Sequence, residues 1–297
     1  ASASLYPTLS LGEDCPSFED MVCHENISDE TKIFMYLYYF RKVIVPMAVG
    51  TKEFDEKYGK NKGYKQYKRF VELIYGFLER ESNERPKRAN IFSTNYDLLI
   101  ERACDAFLME HPLASFNDGS RGAFIRYISN QNFYLNVTHS GYNDTYRREV
   151  PTVNLIKLHG SVSWKVDQDK ILAVSDNFHI NLVRKKSDEV GISLEGGEKI
   201  LEECREKSTG VFVEKLNETV SLLGLDLQKL KDFFTEYKEL PIINPDKDKF
   251  YATVVKQHHY QMLRSFSYEL EGKQAVLIVF GFSFADEHIT DIFRRSL

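Results

Sequence analysis

Three short motifs hold the side chains best suited to chemistry, and each follows an apolar run of strand-like composition. Ser93-Thr94-Asn95-Tyr96-Asp97 follows Ala89–Phe92, Leu158-His159-Gly160-Ser161 follows Val153–Lys157, and Gly281-Phe282-Ser283-Phe284-Ala285-Asp286 follows Ala275–Phe280. The Asn95 carboxamide donates and accepts hydrogen bonds at once, so it can position a water or a hydroxyl. An imidazole titrates near pH 6.5, which suits His159 to general-base work around neutrality. Taken singly, such an Asn makes a turn and such a His packs in a core. Together at strand ends they point to a site, because the carboxyl ends of strands in an open α/β sheet line one crevice. That is the layout of a nucleotide pocket.

Other positions in the motifs carry two readings each. Thr94 hydrogen-bonds a ligand or sets the turn. Asp97 lies in the first turn of the next helix, where a carboxylate suits the positive end of the dipole, so capping and ligand contact both remain open. Gly281 lets the backbone approach a ligand, Ser283 can reach a ribose or phosphate oxygen, and Asp286 holds a ribose hydroxyl or caps a helix starting at Glu287. His258 and His259 are neighbours on an expected helix and diverge, which is poor metal geometry. Trp164 and His288 read as packing or surface residues.

Several elements must position these groups. Apolar spacing predicts helices within 17–48, with Ser28 or Asp29 as a cap, and a helix over Tyr67–Leu78 with Phe70, Leu73, Ile74, Phe77 and Leu78 on its inner side. Leu98–Cys104 reads as a helix, Asn117–Ser120 as a turn, the stretch around Phe133, Leu135 and Val137 as β-rich, and Lys165–Val174 as a hairpin. Leu240–Pro245 is expected to return to the sheet, Phe250–Leu270 to cross over as a helix, Ala275–Phe280 to form the last strand, and Ile289–Leu297 to form a final helix. Alternation of strand and helix at this spacing argues for parallel pairing. Ser187–Glu239, charged and helical in character, reads as an insertion that packs as a small subdomain or an oligomer contact.

Composition narrows the class. The 297 residues are enough for one large domain, and 42% hydrophobic with 28% charged residues is ordinary for a globular chain. A formal charge of -5 argues against gripping a nucleic-acid backbone. The basic run Lys57, Lys60, Lys62, Lys65, Lys68 and Arg69 reads as a solvated helix face. Cys15, Cys23, Cys104 and Cys204 form no Cys-x-x-Cys pair, so a ribbon-type zinc site is not expected. With no signal-peptide pattern and no apolar run of spanning length, a cytoplasmic setting with free thiols and no membrane association is expected.

In order and context, the three motifs resemble those of sirtuin-like NAD-consuming domains, especially the bacterial antiviral branch, over the strand-forming parts from Ala89 to Leu297. The resemblance implies an α/β fold with a Rossmann-like parallel sheet flanked by helices, and NAD as substrate. It makes Asn95 and His159 the matching catalytic positions and places Asp97 near the nicotinamide carboxamide. Asn244, after the preceding strand, would face the adenosine end. Such domains begin with a strand and a Gly-x-Gly phosphate loop followed by Ser; Ser2 matches that Ser and would touch a phosphate, so the chain is expected to be cut at both ends.

The resemblance further implies an NAD hydrolase acting as an antiviral effector that depletes the cofactor pool. It would be held idle in a homo-oligomer or by a partner ATPase, and is most like the stand-alone subunits that pair with a HerA-type ATPase. Deacetylase members carry a zinc module that the cysteines here do not match. A protein deacylase, an ADP-ribosyltransferase, or a sensor that binds NAD or ADP-ribose without cleaving it are the alternatives.

Overall fold

A computed structural model describes residues 17–48, 54, 59–82, 86–168, 170–174, 178–242, 257–272, 275–282, 284 and 286–296. The strands are β1 (Arg88–Ser93), β2 (Ser115–Asn117), β3 (Ser120–Arg121), β4 (Tyr127–Ile128), β5 (Thr138–His139), β6 (Arg148–Glu149), β7 (Thr152–Lys157), β8 (Trp164–Asp167) and β9 (Lys170–Ala173). The helices are α1 (Phe18–Val22), α2 (Asp29–Tyr39), α3 (Val45–Met47), α4 (Lys62–Arg80), α5 (Leu99–Glu110), α6 (Phe178–Glu189), α7 (Leu194–Glu203), α8 (Thr209–Leu222), α9 (Leu227–Lys238), α10 (Gln257–Leu270) and α11 (Glu287–Ser296).

A parallel sheet of order β1-β7-β2 lies at the centre, with Ser93 opposite Lys157 as the last pair of the β1–β7 ladder. Side chains alternate across it. Val153, Leu155, Ala89 and Ile91 pack under α4 and α5, while Ile156, Leu158 and Phe92 pack with α10, α11 and Trp164. Cover on both faces explains why all six residues of β7 are buried and why its sequence does not alternate apolar with polar.

Register is pinned by a rung of three amides. Asn90, Asn154 and Asn117 face one another across β1, β7 and β2. The Asn154 amide donates to Asn90 Oδ1 and to the Phe133 carbonyl, both at 2.8 Å, and Asn154 Oδ1 accepts from Asn117 Nδ2 at 2.9 Å. A one-residue slip would strand these buried groups without partners, at about 1–3 kcal/mol each.

A second, helical core joins α1–α3 to α6–α9. The charged 187–239 stretch is therefore mostly helical, but its apolar faces share one core with residues 18–48, and its helices begin at Phe178. Polar side chains start several helices: Ser28 Oγ accepts from Thr31 N–H, and Asp226 Oδ1 from Gln228 N–H. Tyr96, Leu98 and Val162, on the loops after β1 and β7, pack into the same core. The helical body thus abuts the carboxyl end of the sheet.

Three local expectations are corrected. The buried face of α4 is Tyr64, Val71, Tyr75 and Leu78, whereas Leu73 and Phe77 turn outward at 47% and 68% exposure. The helix carries two apolar stripes, and the one meeting β7 and α5 is buried. Residues 130–134 form a 3-10 helix, and the two-stranded pair β5–β6 follows it. Ala275–Phe280 lies outside any ladder among the described residues, with Val276 87% and Phe280 75% exposed. Extended backbone becomes a strand only where a neighbouring edge offers partners; here Phe280 instead stacks on Phe70 of α4 at 5.8 Å. The hairpin β8–β9 forms as its turn residues predict. Lys62, Lys65 and Arg69 sit exposed on α4, Arg69 paired with Glu72 at 3.2 Å.

Beside the sheet, the His258 ring stands edge-on to Trp164, with centroids 5.6 Å apart. Burial pulls its pKa down from 6.5 to about 4. The folded chain therefore favours neutral imidazole, and this contribution is present above about pH 6.5 and lost as pH falls toward 4. Denaturant unfolding should show the parent losing about 2 kcal/mol more stability than His258→Phe between pH 7 and pH 4.5. Equal pH dependence in the two proteins would contradict the assignment.

Candidate functional site

Parallel pairing brings the first two motifs to one end of the sheet. Beyond the Ser93–Lys157 pair, two backbone bonds hold the following loops together: Leu158 N–H donates to the Ser93 carbonyl at 2.8 Å and Val162 N–H to the Tyr96 carbonyl at 3.1 Å. Asn95 is exposed on this loop, its backbone N–H donating to Ser93 Oγ at 3.2 Å. Its carboxamide makes no hydrogen bond among the described residues, which leaves both its donor and its acceptor for a ligand.

His159 is buried at the corresponding end of β7. The next residue, Gly160, has φ +88°, and a Cβ there would overlap the Pro241 carbonyl oxygen. Gly160 also bridges to Ile242, so the turn bearing His159 is clamped by chain arriving from α9. Among the described residues Leu240–Ile242 thus returns to the turn after β7 through this antiparallel bridge. The ring of His288 lies 5.6 Å from that of His159, centroid to centroid, tilted by 37°. His288 occupies the first turn of α11, so the positive end of that helix dipole points at the same region.

Lys157 closes β7 just below this turn. It is 3% exposed, and its Nζ lies 3.2 Å from Glu101 Oε1 on α5. Burial pushes the Glu101 carboxyl up from its ordinary value, with the Lys157 charge pulling the other way. Glu101 Oε2 has no hydrogen-bond partner among the described residues.

The remaining candidates are distributed unevenly. Thr94 sits half-buried at the bend beside Asn95. Asp97 is buried, and its Oδ1 accepts from Leu99 N–H at 2.9 Å, so the carboxylate caps α5. Gly281 is exposed with φ +65°, and nothing lies within 4 Å of where a Cβ would project. Asp286 immediately precedes α11, and its carbonyl accepts from Thr290 N–H at 2.9 Å. Ser2, Asn244 and Ser283 lie outside the described residues.

Lys157 and Glu101 were missed in sequence, and His288, read there as a packing or surface residue, is buried against His159. A signal existed for the first, since a lysine ending an otherwise uncharged strand needs a reason. Nothing local marked His288, because its neighbour His159 is distant along the chain.

Cys104 and Cys204 are free, and burial pushes the Cys104 thiol well up, away from nucleophilic use. Among the described residues no group of three or more His, Cys, Asp or Glu is placed to hold a metal, and no helix is long and apolar enough to cross a membrane. No protein-family model matches the chain, and no curated protein matches it significantly.

Proposed function

We propose that this chain is an NAD glycohydrolase, built on a Rossmann-like sheet and cleaving NAD to nicotinamide and ADP-ribose. The observation that supports this reading is that neighbouring parallel strand ends carry a carboxamide, Asn95, unengaged among the described residues, and an imidazole, His159. The chemistry asks little acid assistance. The bond between ribose C1′ and the nicotinamide nitrogen breaks with its electron pair going to the ring, which leaves neutral. Water attacks C1′, and its proton passes to His159. Asn95 orients the water or a ribose hydroxyl, so that the attack is in line. The left-handed, open backbone at Gly281 and the first turn of α11 suit an anionic portion of the same substrate.

In the cell, we propose the role of an antiviral effector that depletes NAD and is held idle in a homo-oligomer or by a HerA-type ATPase. Incubating the protein, alone and in its assembly, with NAD and separating the products tests the reaction. Nicotinamide and ADP-ribose in equal amounts are expected. Unchanged NAD with measurable binding would replace the hydrolase by a sensor, and acyl-ADP-ribose formed from an acyl-lysine peptide would replace it by a deacylase.

A further inference from the structure

We propose that Lys157 is a positioning residue that sets the orientation of Asn95 by anchoring the backbone of its loop, an inference that rests on the NAD-cleavage reading for its effect on rate. A lysine ammonium has three N–H donors. Here all three find acceptors: the Asn95 carbonyl at 3.2 Å, the Asp97 carbonyl, and Glu101 Oε1 at 3.2 Å.

Two neighbouring carbonyls are held by backbone, Ser93 by Leu158 N–H and Tyr96 by Val162 N–H. The carbonyls of residues 93, 95, 96 and 97 are thus all bound by the end of β7 and the turn after it. Lys157 supplies the two that backbone does not reach. Ser93–Lys157 is the last rung of the ladder, and beyond it β1 turns away, so a flexible four-carbon stem spans the gap.

With its backbone carbonyl bonded to Lys157 Nζ and its N–H to Ser93 Oγ, Asn95 has a fixed backbone, and its carboxamide is unengaged among the described residues. Because Lys157 is buried and its donors are occupied, it acts through Asn95 and does not meet substrate. The contact also ties the Asn95 loop to the strand that carries His159 two residues later. One side chain therefore sets the spacing of both proposed catalytic groups.

The test combines steady-state NAD cleavage with amide hydrogen exchange of residues 93–98 in the parent, Lys157→Met and Lys157→Gln. Methionine keeps the stem and removes every donor; glutamine keeps a donor that can reach one carbonyl. The expected order of kcat is parent, Gln, Met, with Met lower by roughly tenfold to a hundredfold, as misplacement of a reacting group by about 1 Å produces. KM should stay within about threefold, and exchange in 93–98 should quicken in the same order. Parent values of kcat and of exchange in both variants would overturn the proposal, as would a loss confined to KM with unchanged exchange. If Lys157→Met does not fold, Lys157→Gln decides on the same readouts. A parent that leaves NAD intact would sink the functional reading, while the exchange comparison would still decide whether Lys157 anchors the loop.

Discussion

Replacing His159 by alanine is expected to lower NAD cleavage by about a hundredfold or more, the usual worth of a positioned general base. That corresponds to about 2.7 kcal/mol of transition-state stabilisation. His159 is buried beside His288, so denaturant unfolding of the variant must accompany the kinetics. Asn95→Ala supplies the cleaner control. Its side chain is exposed and unbonded among the described residues, so stability should change by less than about 0.5 kcal/mol while kcat falls on the order of a hundredfold. Parent rates in both variants would remove these residues from the reaction.

The largest stability effect is expected from Phe233→Ala in α9. Phe233 is fully buried, with its ring 5.8 Å from Phe40 and 5.7 Å from Tyr237. Phe40 extends α2 through a π-helical turn (Phe40–Ile44), so the lost ring lies where residues 18–48 meet α9 in the helical core. Removing a buried aromatic costs about 3–5 kcal/mol through lost transfer energy and an unfilled cavity. A drop of that size in unfolding free energy is expected, with Phe233→Leu losing less. A change below about 1 kcal/mol would mean that the helical core is not packed as described. Because Tyr96, Leu98 and Val162 pack into this core, the variant should also loosen the Asn95 loop.

Much of the sheet was legible in the chain because its determinants are local. The apolar runs Ala89–Phe92 and Val153–Lys157, with turn formers at their ends and a helix-length segment between, read as parallel strands, and Arg88–Ser93 and Thr152–Lys157 pair so. The hairpin Trp164–Ala173 and the cap at Ser28 were readable for the same reason, since turn and cap chemistry involve residues a few positions apart. The strand-end placement of Asn95 and His159 followed from those elements.

Other features were decided by what each element meets in space. Periodicity showed that α4 has apolar stripes, but only contact with β7 and α5 selected Tyr64, Val71, Tyr75 and Leu78 over Leu73 and Phe77. Ala275–Phe280 has strand composition but joins no ladder among the described residues, because a ladder needs a neighbouring edge, which composition cannot supply. The same holds at the site. His288 reaches His159 from a helix more than a hundred residues later, and Lys157 finds two of its acceptors on the backbone of the loop after β1, where carbonyls are alike in every sequence. By itself the sequence determined that Asn95 and His159 stand beyond the ends of strands. Tertiary structure decided how those groups are held, because a carbonyl acceptor or a ring neighbour is defined by position and not by residue type.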